Sequence, residues 1–149
     1  ESARDMLAAV QAALPADIAF MVAAVADWRT DAAAQKIKKD GSGQIPPLRF
    51  TENPDILASI AQSDKRPALL IGFAAETEKV VEHAKAKLAK KGSDWIVAND
   101  VSGDVMGGDA NSVHLVSRDG VESWSRMDKT AVAEALITKA ASHMKPAAP

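Results

Sequence analysis

The chain contains no cysteine. This excludes disulfides, thiolate nucleophiles and thiolate metal sites, and it fits a cytoplasmic protein. Charge of one sign is not in excess. The 18 Lys and Arg against 20 Asp and Glu leave a net charge of −2, without the basic surplus of a dedicated nucleic-acid binder. No apolar run reaches the ~20 residues that a membrane helix needs, and no signal peptide is visible. Neither nucleic acid nor a membrane is therefore expected as a partner. Two glycine signatures are also missing, the Gly-x-x-x-x-Gly-Lys phosphate loop and the Gly-x-Gly-x-x-Gly dinucleotide fingerprint. His83, His114 and His143 are isolated, and none has a partner at metal-ligand spacing with a third ligand nearby, so no metal-ligating residue is expected.

What is present is enough for a core. The 149 residues fit one domain or most of one, and 47% are hydrophobic. The most informative stretch is residues 18–39. A nearly unbroken apolar run from Ile18 to Ala26 stops at Asp27-Trp28-Arg29, and a small-residue loop then delivers Lys36, Lys38 and Lys39. A buried strand of an open α/β sheet reads this way, with a charged loop at its carboxyl end, where ligands bind.

The pattern predicts a helix over 3–14 with Met6, Leu7, Val10 and Leu14 on one face and Ser2 as its cap. A strand at 18–26, an irregular loop to about residue 45 and a short strand at 48–50 follow. Asn53-Pro54-Asp55 reads as a helix start, with Asn53 capping, Pro54 in the first turn and Asp55 complementing the dipole. That helix runs to about Ser63. A second buried strand is expected at 68–73. Thr77 is then a cap for a helix to Lys91, with Val80, Val81, Ala84 and Leu88 inward and Gly92 ending it. A third strand at 95–98 leads into Asn99-Asp100 and a glycine-rich loop, Ser102–Asn111. Strands at 113–117 and 122–125 flank an Asp119-Gly120 turn. Asp128 caps a last helix with Val132, Leu136, Ile137 and Ala140 inward, and Lys145 begins a frayed tail. Apolar strands alternating with helices imply a parallel α/β sheet with a late antiparallel hairpin, as one domain.

In such a sheet the ends of the three apolar strands point the same way. Asp27, the Phe73–Thr77 stretch and Asn99-Asp100 would then share one edge, which is what a ligand crevice requires. Polar residues also simply terminate strands. Small residues at Ala23–Ala26 let a planar ring approach the backbone, or serve tight packing. Lys36, Lys38 and Lys39 suit phosphates as mobile point charges, or a solvated loop. Lys87 and Lys91 share a helix face, from which they reach phosphates or complement the dipole.

Five segments in register are specific where each alone is modest. They are AAVADWR at 23–29, KIKK at 36–39, NPDIL at 53–57, GFAAET at 72–77 and ANDVS at 98–102. From residue 1 to about 142 the chain resembles the phosphopantothenoylcysteine synthetase domain of bacterial coenzyme A biosynthesis, in its CTP-using form. The resemblance implies a Rossmann-like three-layer sandwich whose N-terminal part is missing. Residues 1–149 would be the C-terminal major part of a single CTP-binding phosphopantothenate–cysteine ligase domain. It implies a two-step reaction, in which the carboxylate of 4′-phosphopantothenate attacks the α-phosphate of CTP and cysteine then displaces CMP from the acyl-cytidylate. Mg²⁺ would accompany CTP. The family is dimeric, and many members are fused to a decarboxylase domain.

By the same resemblance, Met21, Val22 and Ala23 are the cytosine-side backbone and Asp27 is the nucleotide-binding acid. Lys36 is the lysine of acyl-cytidylate formation. Pro54, Asp55, Ile56 and Leu57 are the helix start that meets CTP. Phe73 lies at the nucleotide, and Lys87 and Lys91 are further CTP-site lysines. Lys38 and Lys39 belong to a flap over the substrate, expected over residues 30–45. The chain departs from the family in having no upstream Ser-Ser-Gly-Lys-Met-Gly segment, and it lacks the expected Gly-Phe near residues 107–111. A non-catalytic nucleotide-binding module and a dinucleotide-dependent oxidoreductase are the competing readings, the second weakened by the missing fingerprint.

Overall fold

The computed structural model describes residues 1–30, 35–39, 41–44, 47–101 and 110–145. The elements run α1 (Ala3–Ala12), β1 (Ile18–Met21), β2 (Trp28–Thr30), β3 (Phe50–Glu52), α2 (Ile56–Ala61), β4 (Leu69–Glu76), α3 (Val80–Lys91), β5 (Trp95–Asp100), β6 (Ala110–Ser117), β7 (Gly120–Asp128) and α4 (Lys129–His143). The main sheet has the order β1-β4-β5-β6-β7. β1, β4 and β5 are mutually parallel, and β6 and β7 close the sheet as an antiparallel hairpin.

Alternation along the central strands sorts the core into two faces. Leu69, Ile71, Trp95, Val97, Val113 and Leu115 meet Val132, Leu136 and Ala140 of α4. The intervening residues face the other way. Ala74, Ile96, Ala98 and Val116 meet Ala84 and Leu88 of α3, and Leu70 meets Leu14 and the α2 residues Ile56 and Ile60. The result is the expected α/β three-layer sandwich, with α4 on one face and α1, α2 and α3 on the other. Each fully buried leucine of this kind contributes about 1.5–3 kcal/mol. Among the described residues no helix is long and apolar enough to cross a membrane.

Several local expectations hold. Ser2 caps α1 in a reciprocal capping box with Asp5, and Met6, Leu7 and Val10 pack with Leu14. Gly92 ends α3 in the left-handed region at φ 72°, where a side chain would be strained. Asp128 caps α4 by accepting from the Ala131 N–H at 2.8 Å.

Others are corrected. The apolar run 18–26 is strand only to Met21, because β4 offers its ladder to Ile18–Met21 alone and residues 22–27 leave the sheet. Trp28-Arg29-Thr30, read as loop, is β2; it pairs antiparallel with β3 at Phe50–Glu52 rather than at 48–50. β4 and β5 run past their apolar cores, through Ala74–Glu76 paired with Ala98–Asp100, since the backbone ladder does not require apolar side chains. That extension moves the start of α3 to Val80. Lys79 occupies its cap at φ 46° with no side-chain capping bond, and Thr77 falls in the turn before it. Asp55, not Asn53, caps α2, and its carboxylate accepts from the Ala58 N–H at 3.1 Å. Ile137 is 60% exposed because the buried stripe of α4 repeats every four residues through Val132, Leu136 and Ala140. The hairpin turn is Arg118-Asp119, with Gly120 already paired to Ser117. The glycine-rich loop expected at Ser102–Asn111 lies outside the described residues except for the last two backbone positions. The flap at 30–45 and the tail from Lys145 fall outside them in part.

Candidate functional site

A cavity of about 750 Å³ opens at the carboxyl ends of β1, β4 and β5. One wall is the run from Met21 to Trp28 that leaves β1. Its small side chains expose backbone, and its course is fixed from across the cavity. The Asn53 side-chain amide donates to the Ala26 carbonyl at 2.8 Å, and the Asn53 backbone N–H donates to the Asp27 carbonyl at 2.7 Å. Arg29 braces the same corner, its guanidinium donating to the Glu52 carbonyl at 2.6 Å. Asn53 is thus committed to holding this wall. That explains why the helix cap passes to Asp55, the first residue beyond the proline.

The second wall is the start of α2, where Pro54, Asp55, Ile56 and Leu57 line the cavity. Leu57 can approach the sheet because Gly72 of β4 lies beneath it. A Cβ there would sit 2.6 Å from Leu57 Cδ2 and 2.9 Å from Ile96 Cδ1. The floor is β4, from Phe73 to Glu76, with Asn99 of β5.

The third wall carries the positive charge. Lys87, Lys90 and Lys91 of α3 all line the cavity. Their spacing places them on one side of the helix. The Lys87 ammonium donates to the Phe73 carbonyl at 2.7 Å, tying α3 to β4. The Lys91 ammonium forms an ion pair with the Asp55 carboxylate, tying α3 to α2. Burial pushes the Asp55 carboxyl up. The hydrogen bonds from Lys91 and the Ala58 N–H, with the charges of Lys91 and Lys90, outweigh it and hold the group below its ordinary value. At the mouth, Glu76 Oε2 lies 3.0 Å from His83 Nδ1. Among the described residues, no group of three or more His, Cys, Asp or Glu side chains could hold a metal ion.

The structure gathers Met21, Val22, Ala23, Asp27, Pro54, Asp55, Ile56, Leu57, Phe73, Lys87 and Lys91 around this one cavity. Lys36, Lys38 and Lys39 are exposed and do not line it. Asn53 and Lys90 are among the lining residues that the sequence reading did not name as site residues. Asn53 reads as an ordinary cap, and only its long-range bonds reveal its role. Lys90 adjoins Lys91 and shares its side of α3 with Lys87, a spacing that was there to be read.

Such an arrangement can hold a planar polar ring against the backbone of one wall and a polyanion against the lysines of the opposite one. Comparisons with known proteins show the family. A family described as DNA/pantothenate metabolism flavoprotein C-terminal domain matches residues 1–144. The coenzyme A biosynthesis bifunctional protein CoaBC of Vibrio parahaemolyticus is 41% identical over 143 residues, covering 93% of this chain and 36% of that protein. Its Escherichia coli K12 counterpart is 42% identical over 125 residues, covering 80% of this chain and 30% of that protein. The chain thus spans about a third of the length of the curated relatives it matches. Among solved structures, the C-terminal domain of a CoaBC protein aligns with a TM-score of 0.70 at 33% identity, over 93% of this chain and 61% of that one. A DNA/pantothenate metabolism flavoprotein from Streptococcus pneumoniae shares the fold, with a TM-score of 0.75 at 20% identity over 95% of this chain and 70% of that one. The motif resemblance and these relatives converge, and the chain belongs to the DNA/pantothenate metabolism flavoprotein C-terminal domain family.

Proposed function

We propose that this chain carries the nucleotide site of a CTP-dependent phosphopantothenate–cysteine ligase acting in coenzyme A biosynthesis. The observation that supports this most is the single cavity uniting the Met21–Asp27 wall, the start of α2 and the lysines of α3. The cytosine lies against the backbone of Met21, Val22 and Ala23, where N–H and C=O groups read its edge, with Asp27 beside it. The triphosphate extends toward Lys87 and Lys91. Backbone N–H groups at the start of α2 add donors, and Asp55 stays compatible with a polyanion because Lys91 neutralises it.

The chemistry is activation of a poor acyl donor. The carboxylate of 4′-phosphopantothenate attacks the α-phosphorus of CTP, pyrophosphate leaves, and the cysteine amine then displaces CMP to form the amide. Positive charge placed where the leaving group gains negative charge lowers the barrier. Lys36 serves this step. In this structure it is exposed and does not line the cavity. Mg²⁺ would accompany the triphosphate and offset its charge, since the described residues offer no carboxylate or histidine cluster to hold it alone. Lys38 and Lys39 cover the acyl substrate from the same loop.

A homodimer and an attached decarboxylase domain belong to this reading, which places the protein in the cytoplasm. The paired strands β2 and β3 support a dimer, since they present Trp28 and Phe50 at 60% and 64% exposure. The position of Lys36 also favours a second reading, in which the chain by itself binds nucleotide without turning it over.

Calorimetric titration of the chain with CTP and with ATP, each with Mg²⁺, tests the proposal. Binding of CTP well above ATP is expected. Equal affinity removes the cytosine assignment, and absence of binding removes the nucleotide site from this chain.

A further inference from the structure

The three lysines of α3 at the cavity are not equivalent. Lys87 is committed to the Phe73 carbonyl at 2.7 Å. Lys91 is committed to the Asp55 carboxylate and is only 22% exposed. Both bonds fasten α3 to neighbouring elements, and a ligand recruiting either ammonium must compete with an acceptor already in place. Lys90 lines the same cavity and is exposed, and it has no hydrogen-bond or ion-pair partner among the described residues. It lines the cavity beside Lys87 and Lys91, so it stands on that wall and not on the back of the helix, and its charge also acts on the Asp55 carboxylate through space. It is the uncommitted cation of this wall.

We infer that Lys90 is a phosphate-contacting residue of the nucleotide site, supplying a mobile positive charge beside Lys87 and Lys91, whose ammoniums also hold the cavity together. The inference rests on the nucleotide reading proposed above. A lysine ammonium on a flexible stem carries three donors and meets a phosphate oxygen without a fixed approach. The bland alternative is that Lys90, in the last turn of α3, only complements the helix dipole. The two differ in what they move. A dipole role changes melting temperature and leaves ligand affinity alone. A phosphate contact changes triphosphate affinity, spares the nucleoside and leaves melting nearly unchanged.

The test is titration of the 149-residue chain and its variants with CTP–Mg²⁺ and with cytidine, alongside thermal melting. Lys90→Gln is expected to weaken CTP about fivefold, the scale of one exposed charge contact, with cytidine affinity unchanged. Lys90→Arg is expected to restore most of the loss. Lys85→Gln removes the same charge from an exposed position of α3 that does not line the cavity, and is expected to leave CTP binding as it was. Equal CTP affinity in Lys90→Gln and the unchanged chain overturns the inference while the nucleotide reading stands. An equal loss in Lys85→Gln and Lys90→Gln also overturns it, since net charge alone would then be responsible. Failure of the unchanged chain to bind CTP overturns the nucleotide reading and this inference with it.

Discussion

Gly72 holds the second wall of the cavity in place by having no side chain. It lies in β4 opposite Met21 on one side and Ile96 on the other. The Cβ of Gly72→Ala would lie 2.6 Å from Leu57 Cδ2 and 2.9 Å from Ile96 Cδ1. Carbon atoms rest at about 3.5–4.0 Å, so Leu57 must retreat by roughly an ångström. Both clashing atoms are ends of side chains, which moderates the strain. Overpacking of this kind costs about 1–3 kcal/mol, and the lower chain entropy of unfolded alanine returns about 0.4–1 kcal/mol. The expected net loss is therefore about 1–2 kcal/mol in urea unfolding, with a several-fold loss of nucleotide affinity as the start of α2 is displaced. A double-mutant cycle isolates the cause. Leu57→Ala alone loses packing, but in that background the clash with Leu57 is gone and only the milder contact with Ile96 Cδ1 remains, so Gly72→Ala should then cost clearly less than in the unchanged chain. A favourable coupling of about 1 kcal/mol follows. Additive losses would refute the argument, because they would place the clash somewhere other than Leu57.

Three further outcomes are expected. Asn53→Ala releases the side-chain bond to the Ala26 carbonyl while the backbone bond to Asp27 stays, and should weaken CTP about fivefold with little change in melting; an unchanged dissociation constant removes the Asn53 side chain from the wall. Asp55→Asn keeps a competent helix cap but removes the carboxylate whose folded pKa lies below 3.8, so the contribution it removes is present above that value and vanishes as pH falls through the folded pKa. The stability gap between the two proteins should be steady from neutral pH down to about 5 and close under acid, and it should stay below about 1 kcal/mol because the pair is partly solvated; a gap that widens in acid contradicts the assignment. Lys36→Gln, in a preparation that releases pyrophosphate from CTP, should suppress that release while circular dichroism stays unchanged, and normal release removes Lys36 from the chemistry.

How much of this was legible in the sequence depends on the range of the interactions. The Ser2 cap, the Asp128 cap and the glycine end of α3 are set by contacts within a turn, and they read directly. So does the alternation of the central strands, whose two faces are both buried. The failures lie where a distant partner decides. Residues 22–26 are as apolar as a strand, but β4 does not pair with them and Asn53 pulls them aside. Trp28-Arg29-Thr30 carries no strand signal of its own and becomes one because Phe50–Glu52 lies alongside.

The site divides the same way. The family resemblance assigned the start of α2 and Lys87 and Lys91 to one site, and the fold brings them to one cavity. The resemblance did not distinguish a lysine that binds ligand from one that binds protein. That distinction requires the Lys91 partner, Asp55, which is 36 positions earlier, and the Lys87 partner, a backbone carbonyl that no side-chain pattern marks. Residues prominent by motif can therefore also brace a charged wall, while a lysine with no protein partner among the described residues, Lys90, stands out only once the bonds of its neighbours are known. Sequence patterns record which groups must stay together. Availability is a property of the folded wall, set by which charges the fold has already satisfied.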